Sequence, residues 1–262
     1  MNPNPKSIIA LAICTLAAAL LSACALPPSV AVKTVLADPA GYLGTNFKPD
    51  SVAAPVRDAL AHADAGPLGF HKATLTLDWA VDTGNAATSY HTTQKLDLTN
   101  AGDSFVMGRI TTLRNNVPLR QYYMLSYRGL YNFKWQSLSM AAADAGLMVV
   151  PVAVKHFDPI TANATTLDYD FSLGFDNGKG GATDPFDSRS SCKIDKAYAA
   201  SRLFASFTGQ ARNVTCTSYN ANGVVSGMER YAYLDAYGLA VPVYSNSSTA
   251  HSTAKVIAAT IE

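Results

Sequence analysis

The chain has 262 residues, with 20 Lys and Arg against 19 Asp and Glu, and a formal net charge of +1 at pH 7. This near-neutral balance gives no electrostatic case for binding nucleic acid or an anionic surface, so no nucleic-acid partner is expected. The length accommodates one large or two small domains with ample core. Thirteen tyrosines and only two glutamates favour strands over helices.

The start of the chain falls into three zones. Met1–Ser7 is polar with one positive charge, and Ile8–Leu21 is an uncharged apolar run of 14 residues. A membrane-spanning helix needs about 20 apolar residues, so this shorter run is typical of a secretory signal. The run ends in Leu21-Ser22-Ala23-Cys24.

This ending resembles the lipobox of bacterial lipoproteins, in which signal peptidase II cuts before the cysteine and its sulfur is acylated. The resemblance implies that residues 1–23 are a lipoprotein signal peptide and that Cys24 becomes the lipidated first residue of the mature chain. Cys24 would then carry a diacylglyceryl thioether and usually an N-acyl group, with fatty acyl chains such as palmitate. Two or more acyl chains anchor a protein stably to a membrane. An ordinary signal peptide with an unrelated cysteine is the alternative.

The residue after the lipobox cysteine is Ala25, whereas an aspartate at this position resembles the inner-membrane retention mark of enterobacterial lipoproteins. We therefore expect attachment to the outer membrane, facing the periplasm, with the cell surface left open.

Two cysteines remain for the mature domain, because Cys14 would be removed with the signal peptide and Cys24 would be lipidated. The spacing of Cys192 and Cys216 suits neither a zinc site nor a CxxC redox motif, and an oxidising compartment favours a disulfide between them. Closing that loop stabilises the fold by about 3 kcal/mol in the chain-entropy model. Two buried free thiols are the alternative.

Residues 24–65 are predicted to form the lipid anchor and a loosely packed, proline-rich tether, with a short helix over 56–66. Residues 66–262 are predicted to form a single, mainly antiparallel β domain. Its first strand shows apolar residues at alternating positions, as in Leu75, Leu77 and Trp79. The next two strand patterns flank Asn100–Asp103, which predicts a hairpin.

The strongest strand pattern is an aromatic stripe. Its apolar residues all have odd numbers, and a three-residue turn over 128–130 is predicted to keep them on one face. Stacked aromatic rings on a sheet can bind a sugar or an acyl chain, although such a stripe more often forms core. The candidate ligand-facing aromatics are Tyr123, Tyr127, Tyr131, Phe133 and Trp135.

Two segments further along the chain are predicted to be helical. They are residues 139–150, which Pro151 would end, and residues 193–207, which would cover one face of the sheet. The sequence also contains a weak internal repeat, in which Tyr122, Leu125, Gly129 and Leu130 are matched by Tyr231, Leu234, Gly238 and Leu239. Chance similarity of two strand-turn patterns is preferred over a duplication.

The sequence contains no GxSxG elbow, no HExxH and no P-loop, and its two SxxK matches lack the further motifs that their enzymes need. Catalytic residues, metal ligands and cofactors are therefore not predicted.

The expected fold is mainly β, with α+β as the alternative: an antiparallel sheet, curved β-sandwich or half-barrel with two or three packed helices. The expected function is a non-enzymatic envelope lipoprotein that binds a protein partner or supports assembly. The alternative is a periplasmic carrier or sensor for a lipid or other apolar ligand, which requires a cavity of about 300 Å³ or more. An enzyme ranks third.

Overall fold

A computed structural model describes residues 29–61 and 66–262. The signal peptide, the lipobox and Cys24 lie outside the described residues, so their assignment stays a prediction.

The described part of the chain is dominated by thirteen β-strands. They are β1 (Lys72–Asp82), β2 (Tyr90–Asn100), β3 (Phe105–Arg114), β4 (Val117–Tyr127), β5 (Tyr131–Ser139), β6 (Val149–Phe157), β7 (Thr166–Asp176), β8 (Ala182–Ile194), β9 (Tyr198–Ala199), β10 (Gln210–Tyr219), β11 (Val225–Leu234), β12 (Leu239–Asn246) and β13 (His251–Ile261).

The strands form one antiparallel sheet that closes on itself. Strands β1 to β8 pair in sequence order, β8 pairs with β10, and β10 pairs with β11. Strands β11, β12 and β13 then lead back to β1. The ring therefore has twelve strands, with the two-residue β9 attached to one end of β10. The predicted mainly antiparallel β fold is confirmed, and a closed barrel is more specific than the predicted sandwich or half-barrel.

The first strand forms as its sequence predicts. Leu75 and Leu77 are completely buried, whereas Thr74 is exposed and Asp78 is half-buried, so one face of β1 points to the core. The predicted hairpin between β2 and β3 is also present, with its connection at residues 101–104.

The described residues before the barrel form three short helices, α1 (Val32–Ala37), α2 (Pro39–Asn46) and α3 (Ala54–Ala61), with a 3-10 turn at Pro49–Ser51. Val35 and Phe47 are completely buried in a hydrophobic cluster with side chains of β4, β5 and β7. The described part of this segment is therefore packed onto the barrel, unlike the predicted loose lead-in, and α3 matches the predicted short helix. Within residues 29–61 and 66–262, every helix is too short or too polar to cross a membrane.

The two other predicted helices are wrong. Residues 140–148, between β5 and β6, form turns and irregular chain, because their backbone groups bond elsewhere: the Ala145 N–H donates to Val30 O and the Gly146 N–H to Ser137 O. Residues 193–207 begin inside β8, continue through β9 and contain only a 3-10 turn at Ala200–Arg202. In both segments, pairing with distant parts of the chain overrides local helix propensity.

The predicted disulfide is confirmed. Cys192 on β8 and Cys216 on β10 lie directly opposite each other in the ladder and are covalently bonded. Both are buried in the larger hydrophobic cluster.

In the part of the chain that the structure describes, the core consists of two hydrophobic clusters. The larger joins the helices to β3–β5, β7, β8, β10 and β11, and the smaller lies between β1–β4 and β11–β13. The smaller cluster borders the candidate site.

Candidate ligand cavity

A cavity of about 450 Å³, here called the main cavity, lies within the ring and is lined by β1–β5 and β11–β13. Burial of its lining increases from one end of the cavity to the other, most clearly on β4 and β11. On β4, Arg120 is exposed, Tyr122 is half-buried and Met124 is buried. The exposed end is the mouth and the buried end is the base.

The base of the main cavity is apolar. Leu96 and Leu98 come from β2, Ile110 from β3 and Met124 from β4. Alternation along each strand sends these side chains to the same side of the sheet, because residues two apart share a face. The base can therefore hold an apolar group away from water.

The mouth is polar and carries two ionisable groups of opposite sign, Arg120 on β4 and Glu229 on β11. The Tyr231 hydroxyl donates a hydrogen bond to Glu229. Among the described residues, Arg120 has neither a hydrogen-bond partner nor an ion-pair partner for its side chain. A ligand entering the main cavity therefore passes the unpaired guanidinium of Arg120 and the carboxylate of Glu229, which already accepts a hydrogen bond.

The base is closed by the hairpin turn between β4 and β5. Arg128 in this turn is 1% exposed. Its guanidinium donates to the Tyr233 hydroxyl at 3.1 Å, to Ser104 Oγ at 2.9 Å and to the Gly66 carbonyl. Its own carbonyl accepts from the Ala240 N–H at 2.8 Å. The turn is thereby fixed to three separate parts of the chain.

Glycine is required where this turn meets the turn between β11 and β12. Gly129 has a φ of +71°, and a Cβ there would lie 2.9 Å from Ala240 O. Gly238 has a φ of +63°, and a Cβ there would lie 2.3 Å from Arg128 Nη1. Both the left-handed backbone and the close approach exclude a side chain.

A second cavity of about 270 Å³, here called the side cavity, adjoins the main cavity. Four residues line both cavities: Tyr122, Asn132, Glu229 and Tyr231. The rest of its lining comes largely from β5, β7, β8 and β10 and is rich in hydroxyl groups. The two cavities therefore differ in chemistry.

The two tyrosines between the cavities stay protonated well above neutral pH. Burial, with the negative charge of Glu229 as the next cause, raises the pKa of Tyr122 and of Tyr231. The Tyr122 hydroxyl can therefore donate a hydrogen bond in this region, whereas the Tyr231 hydroxyl already donates to Glu229.

The candidate aromatics divide between core and cavity. Tyr123, Tyr127 and Phe133 are completely buried in the larger cluster and line neither cavity, whereas Tyr131 and Trp135 line the side cavity. The predicted three-residue turn is confirmed, since β4 ends at Tyr127 and pairs it with Tyr131.

The aromatic stripe was predicted to lie on one face of the sheet, but a β-bulge in β5 moves part of it to the other face. Ser126 pairs with Asn132, but Leu125 pairs with Lys134, so β5 has one extra residue here. An extra residue sends the following side chains to the opposite face. Trp135 therefore lies opposite Met124 and faces the cavities.

Sequence reasoning missed the residues between the cavities. Tyr122 lies on the even face of β4, outside the odd-numbered stripe, and Glu229 and Tyr231 are far away in sequence. The sequence signal that could have identified them was the weak internal repeat, which matches Tyr122 with Tyr231. In the structure these two residues line the same two cavities.

One of the two SxxK matches, residues 190–193, has no catalytic geometry. Ser190 and Lys193 lie three residues apart on β8, so strand alternation sends them to opposite faces. Ser190 Oγ instead lies 3.0 Å from Ser218 Oγ.

No known protein-family model matches the chain, and no curated protein matches it. Among solved structures, it is similar to a beta-barrel-like protein of the domain of unknown function DUF1849 from Brucella abortus. That similarity has a TM-score of 0.46 and 8% identity, and covers 74% of this chain and 99% of the other. It is also similar to a DUF1329 family protein from Desulfovibrio piger, with a TM-score of 0.39 and 11% identity, covering 80% of this chain and 94% of the other.

Proposed function

We propose that this protein is a binding protein of the cell envelope that holds a small molecule with a substantial apolar part in its main cavity. One observation carries the proposal: a cavity of about 450 Å³ inside the ring, with an apolar base and a polar mouth. Ligand sites in proteins commonly measure about 300–1,000 Å³ and combine an apolar lining with a few polar groups.

The cavity favours binding over the alternative of a protein-interaction module. Such a module needs a contiguous exposed apolar patch. The large exposed apolar side chains of the described residues are instead distributed over α1, β4, β6, β11 and β13 and adjoining turns.

Binding can be tested with the apolar fluorescent probe 1-N-phenylnaphthylamine. Thr112 lines the main cavity, so Thr112→Phe fills part of it and is expected to reduce probe affinity by about tenfold, which corresponds to ~1.4 kcal/mol. Thr111→Phe is the matched control, because the neighbouring residue on β3 points to the opposite face. Absence of probe binding, or equal losses in two folded variants, would contradict the proposal.

We also propose that the protein is held at the outer membrane through lipidated Cys24. The lipobox-like residues 21–24 support this anchoring. Cys24→Ser removes the sulfur that would be acylated, and the variant is expected in the soluble periplasmic fraction with no added lipid mass. Retention of the variant in the membrane fraction would exclude the anchor.

A further inference from the structure

The side cavity has a strongly polar lining. Ser190 and Ser218 place their hydroxyl oxygens 3.0 Å apart, and the Tyr131 hydroxyl donates to Ser188 Oγ at 3.0 Å. All four residues line this cavity. It is therefore suited to a group that forms hydrogen bonds and unsuited to an acyl chain.

Two polar atoms of the lining are buried without a hydrogen bond in the described part of the chain: the Tyr169 hydroxyl and Asn132 Oδ1. Tyr169 is 1% exposed. A buried polar atom without a partner is unfavourable. One of these atoms is a donor and the other is an acceptor, so a ligand hydroxyl, which both donates and accepts, is the group that can satisfy both types.

The charges around the side cavity argue against an anionic ligand group. Of the described residues that line it, Glu229 alone is an acid, and none is Lys or Arg. An anionic group would meet this carboxylate without a counter-charge. A cationic group would be attracted by Glu229 but would offer the Tyr169 hydroxyl no acceptor.

The cavities adjoin at four shared residues, so a ligand that extends past these side chains would contact both. Asn132 is among these shared residues, which sets one of the two unpartnered atoms at the junction. We propose that the ligand is an amphipathic molecule with an uncharged, hydroxyl-bearing head group, such as a glycerol or sugar moiety. The head group occupies the side cavity and the apolar part occupies the main cavity. This inference rests on the proposed binding function and names the ligand class.

The chain has two tryptophans, and they report on the two cavities separately. Trp79 lines the main cavity and Trp135 lines the side cavity. Trp79→Phe and Trp135→Phe therefore give single-tryptophan proteins. Each is titrated with three probes of equal chain length below their micelle concentrations: octyl β-glucoside, octyl sulfate and octyltrimethylammonium.

All three probes are expected to change Trp79 emission, because they share the octyl chain. Octyl glucoside alone is expected to change Trp135 emission and to bind about tenfold more tightly than the charged probes, as one or two additional hydrogen bonds would give.

Tyr169→Phe removes the unpartnered hydroxyl and keeps the shape of the ring. It is expected to lose most of the preference for octyl glucoside while its melting temperature stays the same or rises. A purely structural hydroxyl would instead lower the melting temperature. Tyr198→Phe is the control, because the Tyr198 hydroxyl bonds Asn213 and lines neither cavity.

The outcomes separate the two proposals. The head-group assignment would be overturned by equal affinity for the three probes, by unchanged Trp135 emission, or by an unaltered preference for octyl glucoside in Tyr169→Phe. Each of these results would still leave the main cavity as a binding site. If no probe changes Trp79 emission, the proposed binding function fails, and the head-group assignment fails with it.

Discussion

Lys134 on β5 is a charged side chain enclosed by the packed N-terminal segment. It is 4% exposed, and its ammonium group donates to the Ser51 carbonyl at 3.1 Å and to Ser51 Oγ at 2.9 Å. Burial lowers the pKa of Lys134 to about 8 from its usual 10.5. The hydrogen bonds therefore only partly compensate for the lost hydration of the charge.

This shift has a defined effect on stability. Between pH 8 and 10.5 the lysine is largely deprotonated in the folded state and protonated in the unfolded state. The unfolded state then binds more protons, so the free energy of unfolding rises with pH across this window, by up to about 3 kcal/mol. Above pH 10 the rise is opposed by buried tyrosines, since burial raises the pKa of Tyr127 and of Tyr131 to about 12.

We predict that urea unfolding midpoints increase from pH 7.5 to 9.5 in the wild-type protein. Lys134→Met is expected to remove most of this increase, because methionine has no charge to desolvate. Lys95→Met, at an exposed position on β2, should keep it. A wild-type midpoint that stays constant or falls over this range would contradict the assignment.

At the scale of single elements, the strands with one buried face were the predictable part of the fold. The alternation of apolar and polar residues predicted β1, and the glycine at position 129 predicted the three-residue turn between β4 and β5. The bulge in β5 has no sequence signal, because it depends on how β5 pairs with β4. The predicted helices over residues 139–150 and 193–207 were wrong for a related reason, since the conformation of these segments is set by partners far away in sequence.

The disulfide links two neighbouring strands around the segment that contains β9. Its loop spans a sequence separation of 24 residues. We predict that reduction lowers the free energy of unfolding by about 3 kcal/mol, through the larger entropy of the reduced unfolded chain.

Thermal unfolding with and without a phosphine reductant measures this effect. The double variant Cys192→Ser and Cys216→Ser serves as the control, because it should unfold at one temperature in both buffers. If the wild-type melting temperature does not respond to complete reduction, the disulfide contributes no stability.

For the molecule as a whole, closure of the ring was beyond what the sequence could predict. It depends on pairing between β13 and β1, which lie at opposite ends of the barrel sequence, and local patterns do not specify that these two strands meet. The candidate site follows from closure, since its lining comes from both ends of the chain. The aromatic stripe identified a large part of the core, and only Tyr131 and Trp135 of that set line a cavity.

The contact between the two hairpin turns at the base of the main cavity can be tested by mutation. Gly129→Ala and Gly102→Ala both place a side chain at positive φ, but a Cβ at position 102 meets no atom within 4 Å, whereas one at position 129 lies 2.9 Å from Ala240 O. We predict that Gly129→Ala costs about 1–3 kcal/mol more stability than Gly102→Ala. Chemical denaturation of both variants measures the difference, and equal losses would mean that the two hairpin turns do not meet.

The packed N-terminal segment also limits how far the barrel can move from a membrane. The Val30 carbonyl already accepts a hydrogen bond from the Ala145 N–H at 2.8 Å, so the chain is attached to the folded body from residue 30 onward. If Cys24 is lipidated, six residue steps, with five residues between, join it to that attachment. At roughly 3.3–3.6 Å per residue, their full extension is only about 20 Å. The folded body would then stay attached close to the bilayer surface and could not carry a ligand across the periplasm.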